Sequence, residues 1–240
     1  MTWMEVNKIL CAQITFEICL CILFKFLTSL IFLIDDLTFL LYCMYEYHMT
    51  QSEAGILFCC SALSLFAYGL TISGFIVDKV GVKWSLMLGL GVYAMAKFFL
   101  IFIDNRTQLW IVMLTVAPFG ISVIFPCLVL GIKKLTFENA RPQAFSIFYA
   151  AMVLGAVFGG FVVDWIRHDY KHASVQYHHE NQETGRGEDR EQEFSAWRII
   201  QFFGLILLMF MILTLCFYRP SVEKEFEEED IDWGKFAFLQ

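Results

Sequence analysis

The chain has 240 residues, of which 58% are hydrophobic, with a mean hydropathy of +0.62 and a formal net charge of −7. Soluble domains average about 45–50% apolar residues, and the excess here is gathered in blocks as long as the roughly 20 residues that a helix needs to cross a bilayer. The composition excludes an ordinary soluble domain, and the acidic balance gives no basis for nucleic-acid binding, which favours a basic face.

The apolar blocks are continuous, whereas the strands of a transmembrane barrel would give short alternating segments. Because the bilayer core offers no water to pair backbone groups, continuous blocks of this length must be helical. We therefore predict an all-α membrane protein with about six transmembrane helices, embedded in a lipid bilayer. The eight cysteines lie in or beside apolar runs without the spacing of a zinc site, so neither a metal nor a cofactor is expected.

The first apolar region runs from about residue 9 to residue 45 and is too long for one ordinary span. We place the first transmembrane span at residues 22–45. Residues 1–21 then form an N-terminal lead-in, for which an amphipathic segment on the membrane surface is favoured over a cleaved signal peptide, since the basic start is a lone Lys8 and no cleavage site stands out.

The second and third spans are predicted at residues 51–77 and 84–103, joined by a short polar link. Thr50 or Ser52 is suited to cap the second span, with Glu53 in its first turn. The fourth span is predicted at residues 109–132, where Pro118 and Pro126 should kink the helix.

The fifth and sixth spans are predicted at residues 143–166 and 196–218. Between them lies a polar outer loop, 167–195, and an acidic cytosolic tail, 219–240, follows the last span. The bundle as a whole covers residues 22–218.

Positive charges predict the orientation, because cytosolic loops carry an excess of Lys and Arg. With the N-terminus inside, the short outer links carry only Arg106, which favours cytosolic N- and C-termini. The short inner links carry five basic residues: Lys79, Lys83, Lys133, Lys134 and Arg141.

The link between the second and third spans carries a patterned motif, in which Gly74 precedes Asp78 by four residues and basic residues flank a second glycine. Its members are Gly74, Asp78, Lys79, Gly81 and Lys83. The pattern resembles the signature of the major facilitator superfamily, in the link where that family carries it. Gly74 is expected to allow close helix approach, and Gly81 to permit the turn.

A Gly-rich stretch in the fifth span, with Gly155 and Gly159 in a GxxxG pattern, is similar to the fifth helix of the same family. Two features depart from the pattern: the fourth span has Ala117–Pro118 near the place where many members carry an Arg, and the fifth span lacks the Gly-Pro pair of antiporters. These departures put conventional proton coupling in doubt and weigh against a drug antiporter.

The resemblance implies transport of a small organic solute by one six-helix bundle of the twelve-span, two-half architecture. It also implies a second six-helix half or another membrane subunit as partner, since the Asp of the motif engages the other half in full transporters. The alternative is a degenerate transporter half that serves as an accessory subunit of a membrane assembly. No nucleophile elbow, phosphate loop or pair of catalytic carboxylates supports an enzyme.

Four residues are candidates for substrate or coupling contacts: Asp35, Asp36, Tyr68 and Lys97. A carboxylate deep in a membrane costs about 2.5–3.5 kcal/mol or more, so it normally faces a cavity or a partner. Successive residues point about 100° apart on a helix, so one of the two aspartates should face a central cavity. The family position favours Asp36. The alternative is that the aspartate forms a structural ion pair with Lys97 or Lys25. If Lys97 is not paired in this way, its side chain is expected to snorkel outward to the membrane surface.

Overall fold

A computed structural model describes residues 16–103, 105–136, 138, 140–184 and 196–217, and these are almost entirely helical. Six helical stretches are long and apolar enough to cross a membrane within that part of the chain. The α-helices are α1 (Phe16–Tyr45), α2 (Gln51–Tyr68), α3 (Gly74–Val80), α4 (Val82–Phe102), α5 (Arg106–Ile111), α6 (Ala117–Leu135), α7 (Arg141–Thr184) and α8 (Ala196–Phe217).

The predicted all-α bundle of six spans is confirmed. The second span, Gln51–Val80, comprises α2 and α3, and the fourth, Arg106–Leu135, comprises α5 and α6. In each of these two spans, a five-residue π-helical turn joins the two α-helices. This turn is Gly69–Ser73 in the second span and Val112–Val116 in the fourth.

Two boundaries differ from the prediction. Helix α1 begins at Phe16, six residues before the predicted start of the first span, so the lead-in of residues 1–21 is helical from residue 16 and its first fifteen residues lie outside the described part. Helix α7 continues to Thr184 through most of the segment predicted as an outer loop, and no Gly or Pro occurs between Gly160 and Gly185. The predicted tail, 219–240, also lies outside the described residues.

The two prolines of the fourth span act differently. Pro118 follows the π-helical turn, where the Ala117 N–H donates to the Val112 carbonyl five residues back. Proline lacks the N–H that an α-helix would require, and a wider turn before it accommodates the lost bond. Pro126 lies inside α6 without ending it. The irregularity predicted for this span is thus found at Pro118.

Glycines allow α7 to pack closely on α1 and α6 to pack closely on α4. A Cβ at Gly155 of α7 would collide with the Phe26 carbonyl and lie 3.2 Å from the Leu30 nitrogen of α1, and one at Gly159 would lie 3.3 Å from the Leu30 carbonyl. The GxxxG face predicted in the fifth span therefore packs against the backbone of α1. In the same way, a Cβ at Gly120 of α6 would lie 2.8 Å from the Tyr93 nitrogen of α4.

The spans differ greatly in how much of their surface this bundle covers. In the most apolar window of the first span 61% is buried, and in that of the third 56%. The corresponding figure is 28% for the fifth span and only 6% for the second. Large apolar side chains such as Leu63, Phe66 and Leu70 of the second span are at least 65% exposed. The second and fifth spans thus present the least covered apolar faces.

Candidate functional site

A partly open cavity of about 130 Å³ lies between five of the six spans. Its walls are mainly aromatic and apolar, with Phe32 and Phe39 from α1, Phe58 from α2 and Tyr93 from α4. The fourth span contributes Met113, Ala117, Pro118 and Ile121, which belong to or follow its π-helical turn. π-Helical turns occur frequently at functional sites because they redirect the side chains that follow.

Both adjacent aspartates of α1 line this cavity. The expectation that only one of them would do so is wrong. Consecutive residues still point about 100° apart, but the cavity is lined by residues of α1, α2, α4, the fourth span and α8 and reaches both aspartates. Asp35 and Asp36 are each partly buried.

Asp35 is the centre of a polar cluster that joins three spans. Lys97 of α4 forms an ion pair with both carboxylate oxygens of Asp35. The Tyr93 hydroxyl donates to Oδ2 of Asp35 at 2.6 Å, and the Gln201 amide of α8 donates to Oδ1 at 3.2 Å. Lys97 also donates to the Gln201 side-chain oxygen at 2.7 Å. The lysine charge is therefore balanced and its donors are satisfied inside the bundle.

The expectation that Lys97 snorkels outward is wrong, since its side chain is 1% exposed. Burial of a lysine is expensive unless the charge is paired and hydrogen-bonded, and Asp35 and Gln201 supply both requirements. The alternative, in which an aspartate of α1 forms a structural pair with Lys97, holds for Asp35 and not for Asp36. Lys25, the other basic candidate, instead places Nζ 4.7 Å from the ring centre of Phe125.

Asp36 has no hydrogen-bond or ion-pair partner among the described residues, although it lines the cavity beside Asp35. Tyr68, the remaining candidate, is not among the residues that the structure places on the cavity wall. Its ring packs edge-on against Phe119, with ring centres 5.9 Å apart. The structure therefore brings together Asp35, Asp36 and Lys97, with Lys97 behind Asp35. Tyr68 lies outside this group.

The motif residues lie at the opposite end of the second span from its Thr50 cap. Gly81 adopts φ 84° and ψ 163° in the turn between α3 and α4, a conformation that glycine alone adopts readily. Asp78 and Lys79 are exposed, and the ammonium of Lys79 lies 4.3 Å from the ring centre of Phe75. Lys83 follows in the first turn of α4.

Gly74 does not serve the close approach that was expected of it inside this bundle. A Cβ at Gly74 would meet nothing within 4 Å in the part of the chain that the structure describes. The position is exposed, and it lies directly after the π-helical turn Gly69–Ser73. The described residues therefore provide no close contact at Gly74.

Sequence reasoning missed Tyr93 and Gln201. Tyr93 precedes Lys97 by four residues, a spacing that puts two side chains on the same helix face. Gln201 is an isolated polar residue in an otherwise apolar span, and such residues within a membrane normally have a partner. Both signals were present in the sequence, but only the folded bundle shows that the two side chains converge on Asp35.

The fold and the cavity define a multi-pass integral membrane protein. The family model of the Major Facilitator Superfamily matches residues 18–237, nearly the whole chain, and the chain belongs to that family. This result confirms the relationship that the Gly74–Lys83 motif indicated. A comparison with curated proteins gave no match.

Proposed function

We propose that the protein transports a small organic solute across the membrane, and that the cavity beside Asp35 and Asp36 is part of the solute site. The observation that carries this proposal is the position of the two carboxylates on the wall of a cavity between five spans. Membrane proteins rarely keep such groups unless they face a partner, a substrate or a water-filled path. Membership of a transporter family supports the same function.

A transport path requires alternating access between two bundles, so we propose that a second six-helix half, or another membrane subunit, covers the second and fifth spans. Three features support this arrangement: the second span is only 6% buried, Gly74 has open space around it, and Asp78 is exposed at the end of α3. Asp78 then has a partner on the covering bundle, as the motif Asp does in related transporters.

We also propose that the N- and C-termini are cytosolic. This orientation places the exposed Lys79 and the basic end of α6, Lys133 and Lys134, on the cytosolic side, in agreement with the bias of Lys and Arg in short loops. Fusion of a reporter that fluoresces only in the cytosol to each terminus tests the orientation.

Flux into proteoliposomes tests the main proposal. We expect the protein to accumulate at least one solute from a panel of labelled organic cations, neutral solutes and anions, and we expect Asp36→Asn to abolish that flux. Asp164→Asn is the matched control, because Asp164 is an exposed aspartate on α7 that is not on the cavity wall. Absence of flux for every solute, with correctly inserted protein that is assembled with its second bundle, would contradict transport.

The accessory role is the second candidate, and the same exposed second and fifth spans support it, since a subunit of a larger assembly offers such faces to its neighbours. Purification from native membranes separates the two. A fixed set of other subunits together with absent flux supports the accessory role, whereas flux by the purified protein rules it out as the main function.

A further inference from the structure

The cavity wall carries an unbalanced negative charge. Among the described residues that line the cavity, Asp35 and Asp36 are the two carboxylates, and none is a lysine or an arginine. Asp35 is neutralised by Lys97, which lies behind it at 1% exposure. Asp36 has no such partner among the described residues. The charge that the cavity presents to a ligand is therefore close to a single negative charge at Asp36.

The rest of the wall suits an apolar or aromatic body. Phe32, Phe39, Phe58 and Tyr93 contribute four aromatic rings, and ring faces attract cations within about 6 Å of their centres. The volume of about 130 Å³ is close to that of an engineered protein cavity of about 150 Å³ that accommodates benzene. The cavity thus has room for about one ring, and because it is partly open a short substituent can extend beyond its walls.

Other ligand charges fit the cavity less well. A carboxylate or phosphate would lie beside Asp36, and the nearest ammonium, on Lys97, is already held by Asp35 and Gln201. A calcium or magnesium ion requires about six or more oxygen ligands. The side-chain oxygens of the described lining residues are those of the two aspartates, Ser61, Tyr93 and Gln201. The Ser61 hydroxyl donates to the Phe58 carbonyl.

We propose that the cavity binds a small organic monocation, a protonated amine on a body the size of one aromatic ring, with its ammonium group on Asp36. This inference names the substrate class of the site and so rests on the proposed transport function. Asp35 and Lys97 are then a balanced pair that holds α1, α4 and α8 around the cavity, while Asp36 is the group that contacts the ligand. In this arrangement the aromatic rings of the wall attract the cation through their faces.

Binding of three probes of one shape and different charge tests the proposal. Benzylamine, which is cationic at pH 7, is compared with benzyl alcohol and benzoate by ligand-observed NMR on the protein in lipid nanodiscs. We expect benzylamine to bind at least tenfold more tightly than either isostere. Asp36→Asn should weaken benzylamine binding at least tenfold, Asp36→Glu should retain the preference for the cation, and Asp164→Asn should bind as the unaltered protein does.

The outcomes separate the ligand class from the function. Two results would overturn the proposal that the ligand is an organic cation: equal or tighter binding of benzyl alcohol or benzoate, or undiminished benzylamine binding by a folded Asp36→Asn protein. In either case, flux of a neutral or anionic solute would still support the transport function. Absence of binding by all three probes also overturns the cation site. Benzylamine binding that depends on Asp36, without flux of any organic cation by the protein assembled with its second bundle in proteoliposomes, supports the site and contradicts the transport function.

Discussion

Asp35 of α1 and Lys97 of α4 form an ion pair inside the bundle, although they are separated by 62 residues in the chain. The lysine is 1% exposed and Asp35 is 21% exposed, so the pair is mostly shielded from solvent and lipid. Gln201 bridges both partners from α8. The ion pair therefore fixes the relative rotation of three spans around the cavity.

Removal of the lysine alone should destabilise the protein strongly. We expect Lys97→Met to cost about 3–5 kcal/mol, because a buried carboxylate loses its counter-charge. The double variant Lys97→Met with Asp35→Asn should recover most of this loss, since no uncompensated charge is left. Unfolding by SDS from mixed micelles measures both. Lys79→Met, at an exposed position, is the control, and a loss as large as that of Lys97→Met would contradict the buried pair.

The contact between α1 and α7 depends on the missing side chain at Gly155. Gly155→Ala places a Cβ against the Phe26 carbonyl and Ser29, and overpacking of this kind costs about 1–3 kcal/mol. Gly160→Ala on the same helix meets nothing within 4 Å in the described structure and should be neutral or slightly stabilising. The same unfolding assay compares the two, and equal stability would contradict close packing at Gly155.

The turn between the second and third spans depends on the backbone of Gly81. Its φ of 84° with ψ of 163° lies in a region that is essentially restricted to glycine, so Gly81→Ala should cost about 1–3 kcal/mol. Gly74→Ala, which meets open space in the described structure and has ordinary helical dihedrals, should leave the stability of this bundle unchanged. A destabilisation at Gly74 that matches the one at Gly81 would show that the turn is not the cause.

Between the two candidate caps of the second span, the structure selects Thr50. Its side chain accepts from the Glu53 N–H at 3.3 Å, while the Glu53 carboxylate accepts from the Thr50 N–H at 2.9 Å, which completes a capping box. Thr50→Ala should therefore cost about 1 kcal/mol. Ser52→Ala should be nearly neutral, and hydrogen exchange at the first turn of α2 should increase only for Thr50→Ala. Increased exchange in both variants would contradict the assignment of the cap.

Much of the fold was predictable because it depends on local chemistry. A bilayer requires about 20 apolar residues per helix, and that requirement alone locates the spans to within a few residues, apart from the start of α1 and the extent of α7. The turn at Gly81 and the GxxxG contact of Gly155 were also predictable, because each depends on the absence of a Cβ at one position. The role of Gly74 was not predictable in this way, since none of the described residues lies against it.

The site was predictable only in part. Asp35, Asp36 and Lys97 stood out because charges are rare inside apolar spans. That rarity does not show which of the two aspartates pairs with the lysine. Tyr68 was favoured for its polar group and its place in the second span, yet its ring packs on Phe119. A pattern of polarity indicates that a residue needs a partner, but it does not indicate which neighbour is near enough to be one.

By itself the sequence determined that the chain is a helical membrane protein of six spans, and its motif in the correct link indicated the family. Both depend on residues close together in the chain, where hydropathy and backbone geometry act locally. Only the tertiary structure decided that Lys97 neutralises Asp35 and leaves Asp36 facing the cavity. That choice depends on how α1, α4 and α8 are rotated against one another, and rotation is set by packing contacts between residues more than fifty positions apart.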